Sequence, residues 1–280
     1  MSLVTEYVRY GAGMEHGGYV ARVARAATPL PSVVVIQEIW GLDAHIEDVA
    51  RRIALAGYVA LAPDLYATGG ERPAPVARER VAELQAFLNR LPPAAAGAVM
   101  MDPKAREAEL GGRPPAEAAR LGETMATLFA GLSSGARNLD AYVPKLVAAT
   151  AFLREEYPAS KGRKVGAVGF CMGGSLVGLL AGHDPQLAAA AIFYGGGPAA
   201  ALIPGIRCPV VGFYGALDRR VTDGVPAFAE AMRAAGRSFE FHVYDGAQHA
   251  FFNDTRPSYE VRAARDAWAR VLELLRRELP

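Results

Sequence analysis

The sequence predicts an α/β fold in which a mostly parallel central sheet carries helices on both faces. Short apolar runs alternate with helical patterns along the chain, which is typical of parallel strands joined by right-handed crossovers. The runs are continuous in Val, Ile and Ala, as expected for strands buried on both faces. A hydrophobic content of 51% over 280 residues is enough for the core of a single domain, 1–280.

The elements follow in chain order. A β-hairpin is predicted from segments 7–10 and 18–23. Buried strands are then predicted at 32–36, 59–62, 164–169, 189–194, 209–214 and 239–244. The last helix, predicted over 259–279, has an apolar side and many arginines elsewhere, which indicates a terminal helix packed on the sheet.

A long segment, 69–137, interrupts the alternation of strands and helices. It is rich in proline and contains amphipathic runs such as Val81, Leu84 and Leu88. It is either a solvated helical excursion or a cap over the active site. We favour the cap, because the segment follows the carboxyl end of a strand, where ligands of open α/β sheets bind.

Composition excludes several classes of function. The net charge of +1 gives no field that would attract nucleic acid or an anionic membrane. The first residues lack the basic and apolar regions of a signal peptide. With only Cys171 and Cys208, a disulfide framework is not expected, and Cys208 is read as a core thiol. We therefore predict a cytoplasmic protein that needs no metal or other cofactor.

The segment 164–174, KVGAVGFCMGG, carries the most specific chemical signal. A strand leads into Cys171, which Gly169 and Gly173 flank two positions away, and a helix is predicted to start near Ser175. This is a nucleophile elbow of the form G-x-C-x-G, as found in α/β-hydrolases. A helix N-terminus beside the thiol favours the thiolate. The alternative is that Cys171 is a small buried apolar residue.

An acid and a histidine follow in the order that such enzymes use. Asp218 comes just after the strand 209–214, and His249 comes after the strand 239–244. Three loops at one edge of the sheet would therefore bring together a nucleophile, an acid and a base. Asp218 could instead be a turn residue or helix cap, with Asp223 and Asp245 as rival acids.

The other four histidines have weaker claims, because none of them ends a late strand: His16, His45, His183 and His242.

Glu38 lies at the end of the predicted central strand 32–36. A buried carboxylate there is costly unless it is paired. It is either held by loop amides or lies near Cys171 and influences protonation of the thiol. The backbone N–H groups of Ile39 and Met172 are predicted to form an oxyanion hole.

In these residues and the segments around them, the chain resembles the dienelactone hydrolase family. The matching segments are spread along the chain: 37–41 (QEIWG), 57–66 (GYVALAPDLY), 168–174 (VGFCMGG), 215–218 (GALD) and 244–251 (YDGAQHAF).

The resemblance implies roles for particular residues. It implies a triad of Cys171, Asp218 and His249, and it assigns Trp40 to the substrate pocket. It also implies that Glu38 keeps the cysteine poised until substrate displaces the carboxylate.

The chain departs from the family after the histidine. Enzymes that act on dienelactone bind its carboxylate with arginines, one of which lies four residues past the histidine. Here that position is Asn253, and Ala250 stands where serine is usual. Asn cannot make a bidentate clamp on a carboxylate, so Arg256, Arg219 or an arginine of 69–137 would have to replace it.

We therefore predict a hydrolase of a lactone or small activated carboxylic ester, acting through a thioester acyl-enzyme. An acyltransferase or thioesterase on the same scaffold is one alternative, and a non-catalytic binding module is another. The predicted partner is the small-molecule substrate, with neither nucleic acid nor membrane, and the chain could form a homo-oligomer.

Overall fold

The computed structural model describes residues 2–26, 28–130 and 138–280. It falls into two compact units, the first formed by 1–65 and 140–280 and the second by 66–139. The predicted excursion 69–137 lies within the second unit, and its last residues, 131–137, are outside the described residues. A single domain and a cap over the site both remain predictions.

The first unit contains one sheet, whose described strands follow the spatial order β1-β2-β4-β3-β5-β6-β7-β8. The strands are β1 (Leu3–Tyr10), β2 (His16–Val23), β3 (Ser32–Ile36), β4 (Val59–Pro63), β5 (Val165–Phe170), β6 (Ala189–Phe193), β7 (Val210–Gly215) and β8 (Phe239–Tyr244). The hairpin of β1 and β2 is antiparallel and pairs antiparallel with β4, while the pairs from β4 to β8 are parallel. The predicted α/β fold with a mostly parallel sheet is confirmed.

The helices of this unit are α1 (Ala44–Leu55), α6 (Val143–Ala151), α7 (Met172–His183), α8 (Arg219–Thr222), α9 (Val225–Ala234) and α10 (Val261–Glu278). Apolar residues of α1 and α10 share one buried cluster with β3, β5 and β6. On the other side, α7 packs on β5 and β6 and is contacted by α6. Helices thus cover both faces, which leaves the ends of the strands as the place where loop side chains can meet.

The strands differ in how completely their residues are buried. Every residue of β3, β4 and β5 is buried, in agreement with their apolar sequences. The expectation of full burial was wrong for β8, where Glu240, Phe241 and Val243 are exposed. The reason is its position: β8 is an edge strand of the sheet, with a strand neighbour on one side only.

The second unit is helical, with α2 (Arg78–Asn89), α3 (Pro93–Met101), α4 (Pro103–Gly111) and α5 (Pro115–Leu128). Val81, Leu84 and Leu88 are buried on α2, as their helical spacing predicts. Ion pairs join α2 to α5, with Arg120 Nη2 2.8 Å from Glu83 Oε1 and Arg80 Nη2 2.9 Å from Glu123 Oε2. No helix of the described residues is long and apolar enough to span a membrane.

Candidate active site

The carboxyl ends of the parallel strands lie side by side and set the position of every candidate residue. Ile36 of β3 pairs with Gly169 of β5, and Phe170 pairs with Phe193 of β6. Farther along the sheet, Gly215 of β7 pairs with Tyr244 of β8. The segments that leave these strands therefore emerge at one edge of the sheet.

Cys171 occupies a sharp turn between β5 and α7. Its backbone has φ 55° and ψ −114°, a conformation that a residue with a side chain adopts only at a cost of about 1–3 kcal/mol. Its N–H donates to the carbonyl of Phe193 at 3.0 Å, which fixes the turn against β6. The side chain is half-buried. Strain at a partly exposed thiol matches the predicted elbow rather than a buried apolar cysteine.

The helix after the elbow begins at Met172, earlier than the predicted start near Ser175. Gly173 and Gly174 therefore lie in the first turn of the helix rather than before it, and Gly173 allows a close approach to β3. A Cβ on Gly173 would lie within 3.0 Å of the carbonyls of Ile36 and Gln37. The first turn of α7 thus lies directly against the segment that leads to Glu38 and Ile39.

Asp218 and His249 are in contact. Asp218 Oδ2 lies 2.5 Å from His249 Nδ1, and the Asp218 side chain is only 8% exposed. Although Asp218 precedes α8 as its N-cap residue, its side chain makes no capping hydrogen bond. Its carboxylate is committed to the histidine, which removes the helix-cap alternative.

The charge of His249 depends on this pairing. Burial opposes the imidazolium, but the Cys171 thiolate and the hydrogen bonds with Asp218 and Cys171 outweigh it and raise the pKa of His249 to about 10. With Nδ1 held by Asp218, Nε2 is the nitrogen left to face the thiol. The three side chains therefore lie together, as the predicted triad requires.

The rival residues lie elsewhere. Asp223 is exposed and pairs with Arg219 at 3.3 Å, and Asp245 is exposed. His242 Nε2 lies 2.9 Å from Glu240 on β8, and the buried His45 lies 3.6 Å from Asp254. None of these residues is recorded in contact with Asp218 or His249.

Glu38 is buried, and two side chains donate hydrogen bonds to its carboxylate. Tyr194 Oη donates to its Oε1 at 3.2 Å, and Asn253 Nδ2 donates to its Oε2 at 2.9 Å. Asn253 is itself fully buried and accepts hydrogen bonds at Oδ1 from the N–H and hydroxyl of Thr255. Asn253, which stands where the resemblance implies an arginine, thus holds Glu38 in place.

Sequence reasoning missed Tyr194. It follows β6 directly, has φ 38°, is buried, and its ring centroid lies 5.1 Å from that of His249. Burial, followed by the charges of Glu38 and Cys171, raises the pKa of Tyr194 well above its usual value. The sequence signal for Tyr194 was its position at the end of a predicted strand. Cys171 and Asp218 were identified from the same kind of position.

Trp40 is buried, and the Arg256 guanidinium lies 4.8 Å from the centre of its ring. This loop arginine therefore lies near the predicted pocket residue, as a cation–π partner. In the described part of the chain, no group of three or more His, Cys, Asp or Glu side chains is arranged to hold a metal ion.

The sequence matches the model of the dienelactone hydrolase family over residues 17–279. The chain belongs to the dienelactone hydrolase family. It is 32% identical over 259 residues to a protein of Methylorubrum extorquens named "Putative carboxymethylenebutenolidase", covering 89% of this chain and 72% of that protein. A protein of Saccharolobus solfataricus with the same name is 33% identical over 260 residues, covering 92% of this chain and 93% of the relative.

A solved structure gives the same result. The crystal structure of a "Putative Dienelactone Hydrolase" from Klebsiella pneumoniae has a TM-score of 0.71 and 26% identity, and the match covers 99% of both chains. The predicted resemblance is therefore confirmed, as is the prediction of a dienelactone hydrolase-like carboxylic ester hydrolase.

Proposed function

We propose that this enzyme hydrolyses a lactone or small activated carboxylic ester with Cys171 as nucleophile, His249 as acid and base, and Asp218 as the group that orients His249. The contact of 2.5 Å between Asp218 and His249, next to a cysteine at a strained elbow, is the observation that carries the proposal. Hydrolysis of a carboxylic ester is the activity of the family, and these residues supply the chemistry it needs.

The reaction proceeds through a thioester. The Cys171 thiolate attacks the carbonyl carbon, forming a C–S bond and an oxyanion. Collapse of this intermediate breaks the ester C–O bond, and His249 gives its proton to the departing oxygen. Water, deprotonated by His249, then attacks the thioester, and the C–S bond breaks to release the acid.

The oxyanion is stabilised by the backbone N–H groups of Ile39 and Met172. This assignment is supported by the contact of Gly173 with the carbonyls of Ile36 and Gln37, because it brings the start of α7 against the end of β3. One such donor is worth about 3 kcal/mol in comparable sites. Trp40 contributes to the pocket, and Glu38 acts on the thiol from beside Tyr194.

The test is turnover of a panel of lactones, aryl esters and thioesters by wild type and Cys171→Ala. We expect turnover to be lost in the variant and kept in the matched Cys208→Ala variant, because Cys208 is buried and precedes β7, whereas the elbow follows the carboxyl end of β5. Intact-mass measurement during turnover should show acylation of wild type and Cys208→Ala but not of Cys171→Ala. Turnover by Cys171→Ala at the wild-type rate would overturn the proposal.

Product analysis separates the alternatives. Transfer to an added alcohol or thiol in preference to water would indicate an acyltransferase, and a preference for thioesters would indicate a thioesterase. Absence of both turnover and acylation across the panel would favour a binding module. The cytoplasmic location and the homo-oligomer stay predictions.

A further inference from the structure

Glu38 is a buried carboxylate whose recorded hydrogen-bond donors are both neutral. In the part of the chain that the structure describes, these donors are the Tyr194 hydroxyl at 3.2 Å and the Asn253 amide at 2.9 Å. Each oxygen of Glu38 accepts one hydrogen bond, which is how an ionised carboxylate is satisfied when it leaves water. Neither of the two side chains that hold Glu38 in the described part of the chain is therefore a cation.

The Asn253 side chain cannot turn towards a substrate without breaking several hydrogen bonds. Its Nδ2 is used by Glu38, and its Oδ1 accepts from both the N–H and the hydroxyl of Thr255, at 3.0 and 2.7 Å. The side chain is fully buried. Releasing it would leave buried polar groups unpaired, at a cost that exceeds an ordinary hydrogen bond. Asn253 is therefore fixed as the anchor of Glu38.

The charge of Glu38 lies close to the reacting thiol. The segment 37–39 emerges beside the elbow, because Ile36 pairs with Gly169 and the carbonyl of Gln37 meets Gly173. Tyr194 follows Phe193, the strand partner of Phe170, and its hydroxyl bonds Glu38. An acyl group bound at Cys171 therefore enters the field of Glu38.

We propose that Glu38, held by Asn253 and Tyr194, excludes acyl groups that carry a negative charge, so that this enzyme selects uncharged lactones and esters. This inference rests on the proposed function, since it specifies which substrates the Cys171 site accepts. Glu38 and Asn253 are then the residues that determine specificity for the acyl group.

Two cations lie near the site, and each has a partner of its own. The His249 imidazolium is held by Asp218 and pairs with the thiolate. The guanidinium of Arg256 lies over the face of Trp40. A carboxylate on the acyl group would add a like charge at short range in a partly buried site, where charges are weakly screened.

A pair of alkylating reagents measures this exclusion without any ester turnover. Iodoacetamide and iodoacetate have nearly the same size but differ in charge. We would measure the rates at which each alkylates Cys171 and divide their ratio by the ratio for 2-mercaptoethanol. In wild type we expect iodoacetate to be disfavoured by about tenfold, from a like charge at the distance of a neighbouring side chain. A normalised ratio of one, or faster reaction with iodoacetate, would overturn the proposal.

Two variants identify the source of the exclusion. Glu38→Gln keeps the shape and removes the charge, so the normalised ratio should approach one whatever happens to the absolute rates. Glu230→Gln is the matched control, because Glu230 is an exposed acid on α9 that pairs with Arg233. It should leave the ratio at the wild-type value. An unchanged ratio in Glu38→Gln would assign the exclusion to another group and overturn the proposal.

Ester substrates then extend the test. Mono-4-nitrophenyl adipate and its methyl ester differ by one charge at the far end of the acyl chain. We expect kcat/KM to favour the methyl ester by about tenfold in wild type and by much less in Glu38→Gln. Exclusion of iodoacetate with no cleavage of these esters or of any member of the panel would refute the proposed hydrolysis and support charge exclusion. Equal cleavage of both esters would support hydrolysis and refute charge exclusion.

Discussion

Replacement of Asp218 by Asn is the most informative perturbation of the proposed triad. The substitution is isosteric and removes the charge that lies 2.5 Å from His249 Nδ1. A hydrogen bond to a charged group is worth about 1.5–3 kcal/mol, and 1.36 kcal/mol corresponds to one pKa unit. We therefore expect the pKa of His249 to fall from about 10 by about one to two in Asp218→Asn.

The assay is the rate of Cys171 alkylation by iodoacetamide as a function of pH. Because the pKa of His249 is raised, the imidazolium persists through neutral pH in wild type and is lost near pH 10. That loss should appear as a step in the profile, since the thiolate then loses its cationic partner. In Asp218→Asn the same step should move to a pH lower by about one to two.

The control is Asp223→Asn, which removes the same charge from an exposed acid paired with Arg219. Its profile should superimpose on that of wild type. The reasoning is refuted if the Asp218→Asn profile also superimposes on wild type while the variant remains folded. That result would mean that Asp218 does not set the charge of His249.

Two further predictions concern the elbow and the second cysteine. In a thermal melting experiment, Gly173→Ala should lower Tm by about 5 °C or more, because the new Cβ would lie within 3.0 Å of the Ile36 carbonyl. Gly111→Ala is the control and should not lower Tm, because there is open space at its Cβ. Burial raises the pKa of the Cys208 thiol to about 12. When folded protein is treated with iodoacetamide near neutral pH, peptide mass spectrometry should therefore find the alkyl label on Cys171 alone. Equal labelling of the two cysteines would contradict the structure.

Those parts of the candidate site that depend on chain order could be predicted from the sequence. Cys171, Asp218 and His249 follow separate strands, and strand ends can be read from apolar runs with an error of one or two residues. Parallel pairing then brings the loops together without further information. The family motifs added independent support for the same residues.

The contacts of Glu38 could not be read in the same way. Whether Asn253 faces Glu38 or a substrate depends on side-chain packing between loops that are far apart in the chain. The role of Tyr194 depends in the same way on a contact between separate loops, since its hydroxyl bonds Glu38. The predicted helix start near Ser175 was wrong, and the helix begins at Met172, because glycine signals a turn as readily as a close approach of two backbones.

The position of β8 at the edge of the sheet has a consequence for how activity is lost. His249 is carried by the loop after this strand, and β8 has a strand neighbour on one side only. Edge elements open locally at a lower free energy than the interior of a fold. Heat or mild denaturant should therefore separate the base from the nucleophile while β3, β4 and β5 are still paired. Enzyme activity would then report on the attachment of the last strand rather than on unfolding of the whole chain.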